Sequence, residues 1–211
     1  MQKLGLDVSH HAYDVVGLPI GWSEVRRQGY ELICLKASDG LNIWHNKRNY
    51  GKIDPFFLDN WKAIAEVGFP LRCAYPFFEN EVPWTDQLSF FLAAFPEGAP
   101  RPTAAHWLDA ENKVYVRGLK LWDALQGFLD GIEGKFQMRP DFYTSRGWLA
   151  WADLNYGKRP DWLKNYGLVL ADYNPKPIIP PPWTKIHIWQ SNRNWKVPGI
   201  PGGVSLDFVY D

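Results

Sequence analysis

Asp109 and Glu111 stand two residues apart at the end of an apolar run, in HWLDAEN. On a strand, residues i and i+2 point to the same face, with Cα atoms roughly 6–7 Å apart. Two carboxylates held that way repel each other and titrate as a coupled pair, so one stays ionised while the other keeps its proton near neutral pH. A carboxyl still protonated at that pH can deliver a proton to a leaving oxygen, the general acid step that glycoside hydrolysis needs. Taken alone, Asp-x-Glu reads as two solvated acids. Further acids close other apolar runs, however: Asp7, Asp39, Asp172 and Asp207. Gathered at one mouth they would raise one another's pKa, an arrangement of little use to a purely structural protein.

Other chemistries find less support. His10 and His11 are adjacent, and neighbours on a strand point opposite ways, so they read as a loop pair making ordinary hydrogen bonds and not as a metal site. His45, His106 and His187 are isolated. Cys34 and Cys73 each sit in a strand-like run and read as buried thiols, with a bridge between neighbouring strands left open. No Cys/His spacing suits a metal and no serine sits in a nucleophile elbow, so no metal or cofactor is expected.

The elements that must position the acids follow from hydrophobic periodicity. Strands are expected at Leu4–Val8, Leu32–Ala37, Leu71–Phe77, Ala104–Ala110, Asp141–Thr144, Leu168–Tyr173, Lys185–Gln190 and Val204–Tyr210. Helical segments are expected at Gly21–Gln28, Phe56–Val67, Thr85–Phe95, Arg117–Glu133 and Arg146–Ala152, with a further turn at Asp161–Asn165. Strands alternating with helices imply parallel pairing, and eight of them can close a barrel. The fold class is therefore α/β, a single irregular TIM-like barrel over residues 1–211, with five β/α units followed by three strands. An open doubly wound sheet is the alternative, but no Gly-rich phosphate loop follows the first strand. Reactive residues of a parallel barrel lie at the C-terminal ends of its strands, where the acids fall. The stretch PKPIIPPP, Pro175–Pro182, holds five prolines and reads as a stiff extended loop.

Composition narrows the partners. Lys+Arg and Asp+Glu are 23 each in 211 residues, so net charge is zero. That speaks against a general basic nucleic-acid surface and against a polybasic membrane anchor. No apolar run is long enough for a membrane span, Met1–Val8 lacks the pattern of a secretory signal, and a monomer is expected. The chain carries 12 Trp, 10 Tyr and 12 Phe. Flat amphipathic rings grip sugar faces and also fill cores. Tyr75, Phe77, Tyr143, Tyr173 and Trp189 fall near strand ends, whereas Trp61 and Trp122 lie on apolar helical stripes and read as core.

In chain order, GLDVSHH, LICLKASDG, LRCAYPFF, HWLDAEN, FYTS, LVLADY, IHIWQS and VSLDFVY resemble glycoside hydrolase family 25, the Chalaropsis-type lysozymes or N-acetylmuramidases. The resemblance runs from Gly5 to Tyr210. It implies a barrel of five β/α units and three further strands. It implies that Glu111 is the proton donor, Asp109 its catalytic neighbour, and Asp7 and Asp207 the rest of an acidic cluster. Tyr75, Tyr143 and Trp189 would line the groove, with Phe77, Tyr173 and Asp39 as further substrate contacts. Two positions depart from the family pattern: Asp39 stands where Glu is usual, and Pro76 where His is usual. No obvious wall-binding repeats, which many relatives carry, are read after the expected barrel.

The implied activity is hydrolysis of the β-1,4 bond from N-acetylmuramic acid to N-acetylglucosamine in bacterial peptidoglycan, at the cell wall, by an extracellular or phage-released enzyme. The substrate's own acetamido oxygen would attack the anomeric carbon with Asp109 orienting it. Attack by a carboxylate, or inversion by a water held by Asp7 or Asp207, stays open. So do a barrel that binds glycan without cutting it and an enzyme of the same mechanism on a chitin-like polymer.

Overall fold

The computed structural model describes residues 3–13, 19–44 and 47–210. Its strands are β1 (Lys3–Val8), β2 (Leu32–Trp44), β3 (Lys47–Ile53), β4 (Leu71–Phe77), β5 (Trp107–Asp109), β6 (Asp141–Ser145), β7 (Gly167–Ala171), β8 (Ile188–Trp195) and β9 (Val204–Val209). Its α-helices are α1 (Trp22–Arg27), α2 (Phe57–Val67), α3 (Trp84–Ala93), α4 (Leu121–Phe136) and α5 (Arg146–Tyr156). Short 3-10 turns cover His10–Tyr13 and Asp161–Asn165.

The strands join in the order β1-β9-β8-β7-β6-β5-β4-β2-β3, and β1 also pairs with β2. Eight strands thus close a barrel, and β3 stays outside it as the antiparallel partner of the outer half of β2. Neighbours run parallel from β1 through β2 and β4 to β8, and β9 is antiparallel to both β8 and β1. Five β/α units are followed by three strands, as the pattern of runs and turns predicts. The hairpin arm formed by β2 and β3 is new relative to that pattern. His45, an isolated histidine in the sequence, lies outside the described residues.

The two faces of each strand carry different cores, because side chains alternate along a strand. Outward residues such as Leu6, Leu108, Phe142, Leu170 and Leu206 pack against the apolar helix faces, which supply Trp61, Ile64, Leu125, Phe128 and Leu129. Inward residues such as Leu32, Cys34, Cys73, Trp107, Val169 and Ile188 fill the barrel. Cys34 and Cys73 are register partners on β2 and β4 and remain free thiols. Trp61 is fully buried, and Trp122 is partly buried against the outer core while its indole donates to the Gly157 carbonyl at 3.0 Å.

Local chemistry sets the boundaries. Helix α2 ends at Gly68, whose φ of +81° is left-handed and whose N–H reaches back to the Ala65 and Ile64 carbonyls. Helix α5 begins at Ser145, whose hydroxyl accepts from the Trp148 N–H at 3.2 Å. Pro76 has no N–H to give to a ladder; it stands opposite Ser38, where β2 carries one extra residue between Lys36 and Ser38. No helix among the described residues is long and apolar enough to cross a membrane.

Candidate active site

A cleft of about 350 Å³ opens at the C-terminal ends of the barrel strands. Asp7 of β1, Tyr75 and Phe77 of β4, Asp109 of β5, Glu111, Tyr143 of β6 and Tyr173 line it together. Two hydrogen bonds carry the ladder past β5: the Phe78 N–H donates to the Asp109 carbonyl at 2.9 Å, and the Ala110 N–H to the Tyr143 carbonyl at 3.0 Å. The alternation therefore persists, so Asp109 and Glu111 share the cleft while Ala110 joins the outer core.

Burial dominates the electrostatics. It pushes Asp7 up to about 7, and the charge of Glu111 adds to the rise. Hydrogen bonds from Tyr75 and Gln190, and the charge of Lys36, oppose it. Asp109 is held well above the usual carboxylate range, by burial first and then by the charges of Glu111 and Asp7. Glu111 is exposed on its outer side, yet the crowded cleft wall still desolvates its carboxyl enough to raise it, against the pull of Lys36 and Lys113. Three carboxyls raised above their usual range thus share one opening.

Asp7 is fixed from behind. The Gln190 amide donates to it at 3.0 Å, and the Gln190 carbonyl accepts from the Tyr143 hydroxyl at 3.0 Å and the Tyr173 hydroxyl at 2.8 Å. Below the cleft, in the barrel core, Trp107 stacks between Tyr75 at 5.8 Å and Tyr143 at 6.4 Å between ring centroids.

Other candidates from the sequence lie elsewhere. Asp207 is 1% exposed and does not line the cleft. It pairs in register with Gly5, one inward-facing layer below Asp7. A Cβ on Gly5 would stand 3.3 Å from that of Asp207, so a glycine leaves room for the buried acid. Neither carboxyl oxygen of Asp207 has a hydrogen-bond partner among the described residues, and burial, then the charge of Asp7, holds it well above the usual range. Asp39 lies off the cleft wall and pairs with Lys36 at 2.6 Å. Trp189 also lies off the wall: its neighbours Ile188 and Gln190 point inward, and its ring packs on Phe208 at 5.3 Å. Asp172 ties its own loop, accepting from the Asn174 and Ile178 N–H groups at 3.2 and 3.1 Å.

His10, His106 and His187 have partners of their own. His10 is bound to Asp54 at 3.0 Å and His187 to Asp141 at 2.7 Å. Burial holds His106 down to about 3, so it is a neutral core residue accepting from the Ala74 N–H. No group of three or more His, Cys, Asp or Glu placed to hold a metal occurs among the described residues.

Lys36, Gln190 and Arg193 line the cleft without having been singled out in the sequence. Parity holds the signal for the first two. Lys36 follows Leu32 and Cys34 on the inward face, and Gln190 follows Ile188. A polar side chain on the inward face of a buried strand must meet a partner at the barrel mouth. Arg193 sits above the Tyr173 ring, 5.8 Å from its centroid.

A model of glycosyl hydrolases family 25 matches residues 6–200, and the chain belongs to that family and is a glycoside hydrolase. The fold is similar to that of a family 25 glycosyl hydrolase from Bacillus anthracis, with a TM-score of 0.75 and 20% identity over 99% of this chain and 89% of the other. It is similar to a bacterial lysozyme from Streptomyces coelicolor, with a TM-score of 0.72 and 22% identity over 99% and 92%. It is also similar to the catalytic domain of endolysin ply40 from bacteriophage P40 of Listeria monocytogenes, with a TM-score of 0.71 and 20% identity over 100% and 94%. No curated protein matches the chain in sequence.

Proposed function

We propose that this glycoside hydrolase is a peptidoglycan muramidase, cutting the β-1,4 bond from N-acetylmuramic acid to N-acetylglucosamine with Glu111 as the general acid. The observation that carries the reading is the pairing of Asp109 and Glu111 in one cleft, with Glu111 the outer and more accessible of the two. A carboxyl at the opening that burial raises above its usual range is suited to protonate a glycosidic oxygen. The family and the lysozyme and endolysin names of its structural neighbours favour peptidoglycan over other glycans.

The remaining steps fall to the inner acids. Oδ1 of Asp109 has no partner among the described residues, which supports a role in orienting the substrate's acetamido group. That group's oxygen attacks the anomeric carbon as the bond to the leaving sugar breaks. Asp7, held by Tyr75 and Gln190, faces the same space and stabilises the positive charge that develops on the ring. Asp207, one layer down, acts on Asp7 and not on substrate. Water, deprotonated by Glu111 now acting as base, then opens the resulting oxazolinium ring from the face the leaving sugar vacated. This route therefore retains configuration and releases a β-anomer, whereas a water-driven inversion releases the α-anomer.

The test is mass spectrometry of wall fragments after digestion and borohydride reduction. Muramitol at the new ends supports the reading. Glucosaminitol would make the enzyme a glucosaminidase, and no new reducing ends would remove the reading altogether.

A further inference from the structure

Beside the catalytic cleft lies a second cavity, about 910 Å³, and Tyr173 forms part of the wall of both. Its far wall is the proline-rich stretch, which brings Ile178, Ile179 and Pro181 to the surface over a buried Pro180. Ile178 is 55% exposed and Ile179 38%, so this wall does not cover the core. It is nevertheless tied down. Asp172 accepts from the Ile178 N–H at 3.1 Å, and Arg159, itself bound to Asp153, donates to the Pro181 carbonyl at 3.1 Å. Prolines fix most of the remaining backbone torsions. The result is a stiff apolar face at the edge of the active site.

The opposite wall is cationic. Arg146 lines the cavity, is exposed, and makes no hydrogen bond or ion pair among the described residues. The Lys113 ammonium stands 3.6 Å from where a Cβ on Gly147 would be, which puts a second cation at this rim, two residues beyond Glu111. Asp172 also lines the cavity and lies in the field of Arg146, but its carboxylate is already taken up by the N–H groups of its loop. Arg159 is bound to Asp153, and with Arg146 and Arg159 against the single carboxylate of Asp172 the lining is positive on balance.

We infer that this cavity is a binding site for the carboxylate-bearing peptide attached to the glycan strand. Its carboxylates meet Arg146 and Lys113, and its short aliphatic side chains lie on Ile178 and Ile179. The inference rests on the muramidase reading and adds to it a preference: the enzyme distinguishes glycan that carries peptide from glycan that does not. Asp172 meets the Arg146 guanidinium only through its field and without a hydrogen bond, so the guanidinium donors are open to a ligand carboxylate, their natural bidentate partner.

The experiment compares wall glycan with its peptides intact against the same glycan stripped of them by an amidase, which leaves a lactyl carboxylate on each muramic acid. The lactyl carboxylates of the stripped form are then capped as methylamides so that only the peptide differs. The measured quantity is kcat/KM for new reducing ends. The parent enzyme is expected to favour the intact form roughly fivefold, the scale of one solvent-facing ion pair plus apolar contact. Arg146→Glu and Ile178→Ser should each bring that ratio towards one. Both positions are exposed, and a melting temperature equal to the parent's confirms that the variants fold. A parent ratio of one, or a ratio unmoved in both variants, overturns the peptide site while cleavage itself leaves the muramidase reading standing. Cleavage of neither polymer by the parent would instead remove the muramidase reading and the peptide site with it.

Discussion

The Glu79 carboxylate accepts a hydrogen bond from the side-chain amide of Asn112, the residue next to Glu111. Asn112 is held on its other sides too. Its carbonyl accepts from the Trp148 indole at 2.7 Å, and its Oδ1 accepts from the Val114 N–H at 2.7 Å. Gln87 in turn grips the Glu79 backbone through both amide atoms at 2.8 Å. Gly40 makes this possible, since a Cβ there would come within 2.4 Å of Gln87 Oε1. The segment that carries the proposed acid is thus anchored by a buried carboxylate outside the cleft. Misplacement of a reacting group by about 1 Å can cost on the order of 100-fold in rate. Glu79→Ala should lower kcat for wall hydrolysis at least tenfold by that reasoning, with KM changing less. Glu79→Gln keeps the acceptor oxygen and should retain most of the rate. Equal kcat in the Ala variant and the parent would detach Glu79 from the acid.

The same residue links stability to pH. Burial first, then the charges of Asp39 and Glu81, push Glu79 from 4.5 up to about 7. Between those values the folded protein holds a proton that the unfolded chain has lost. The stability this contributes is full below 4.5 and disappears as pH rises through 7. Asp7, raised from 3.8 to about 7, acts in the same direction. His106, lowered from 6.5 to about 3, acts oppositely and costs stability as pH falls below 6.5. Comparing Glu79→Gln with the parent isolates the contribution of Glu79. Relative to the parent, the variant's melting temperature should rise between pH 5 and pH 8. A constant difference across that range would mean that Glu79 does not titrate there.

Lys36 is the buried cation of the cleft, and its charge lowers Asp7, Asp109 and Glu111 together. Lys36→Met should therefore raise all three. With Glu111 as the group that must stay protonated and Asp7 as the one that must ionise, both limbs of the pH–rate profile should move to higher pH. Limbs that stay in place, or move down, would contradict the assignment of charge in the cleft.

Strand parity explains which parts of this site could be read from the sequence. Asp7, Tyr75, Phe77, Asp109 and Tyr143 sit at inward positions of short regular strands, so a two-residue period carries them to the cleft. Glu111 follows because the ladder runs one step past β5. Trp189 is one residue out of phase with this rule: parity turns its ring away from the cleft and Gln190 into it. Asp39 lies beyond the extra residue in β2, where the alternation is broken. The hairpin of β2 and β3 was hidden because its sequence, LNIWHNKRNYGKI, is polar and lacks a clear alternating run. The Asn112–Glu79 link spans 33 residues and two different loops, and no local pattern announces such a contact.

Cys34 and Cys73 face each other across β2 and β4 inside the barrel, and burial raises both thiols. A raised thiol with no solvent contact is a poor nucleophile. A thiol reagent should label neither cysteine in the native protein and both after denaturation. Thiol reductants should leave activity unchanged. Rapid native labelling would place the pair at the surface.

The most direct test of the account is the rate of wall hydrolysis by Glu111→Gln. Gln keeps the shape of the side chain and cannot supply a proton, so hydrolysis should fall by roughly 10²–10⁴-fold while the melting temperature stays near the parent's. A folded Gln variant that releases reducing ends at close to the parent's rate would show that Glu111 is not the acid.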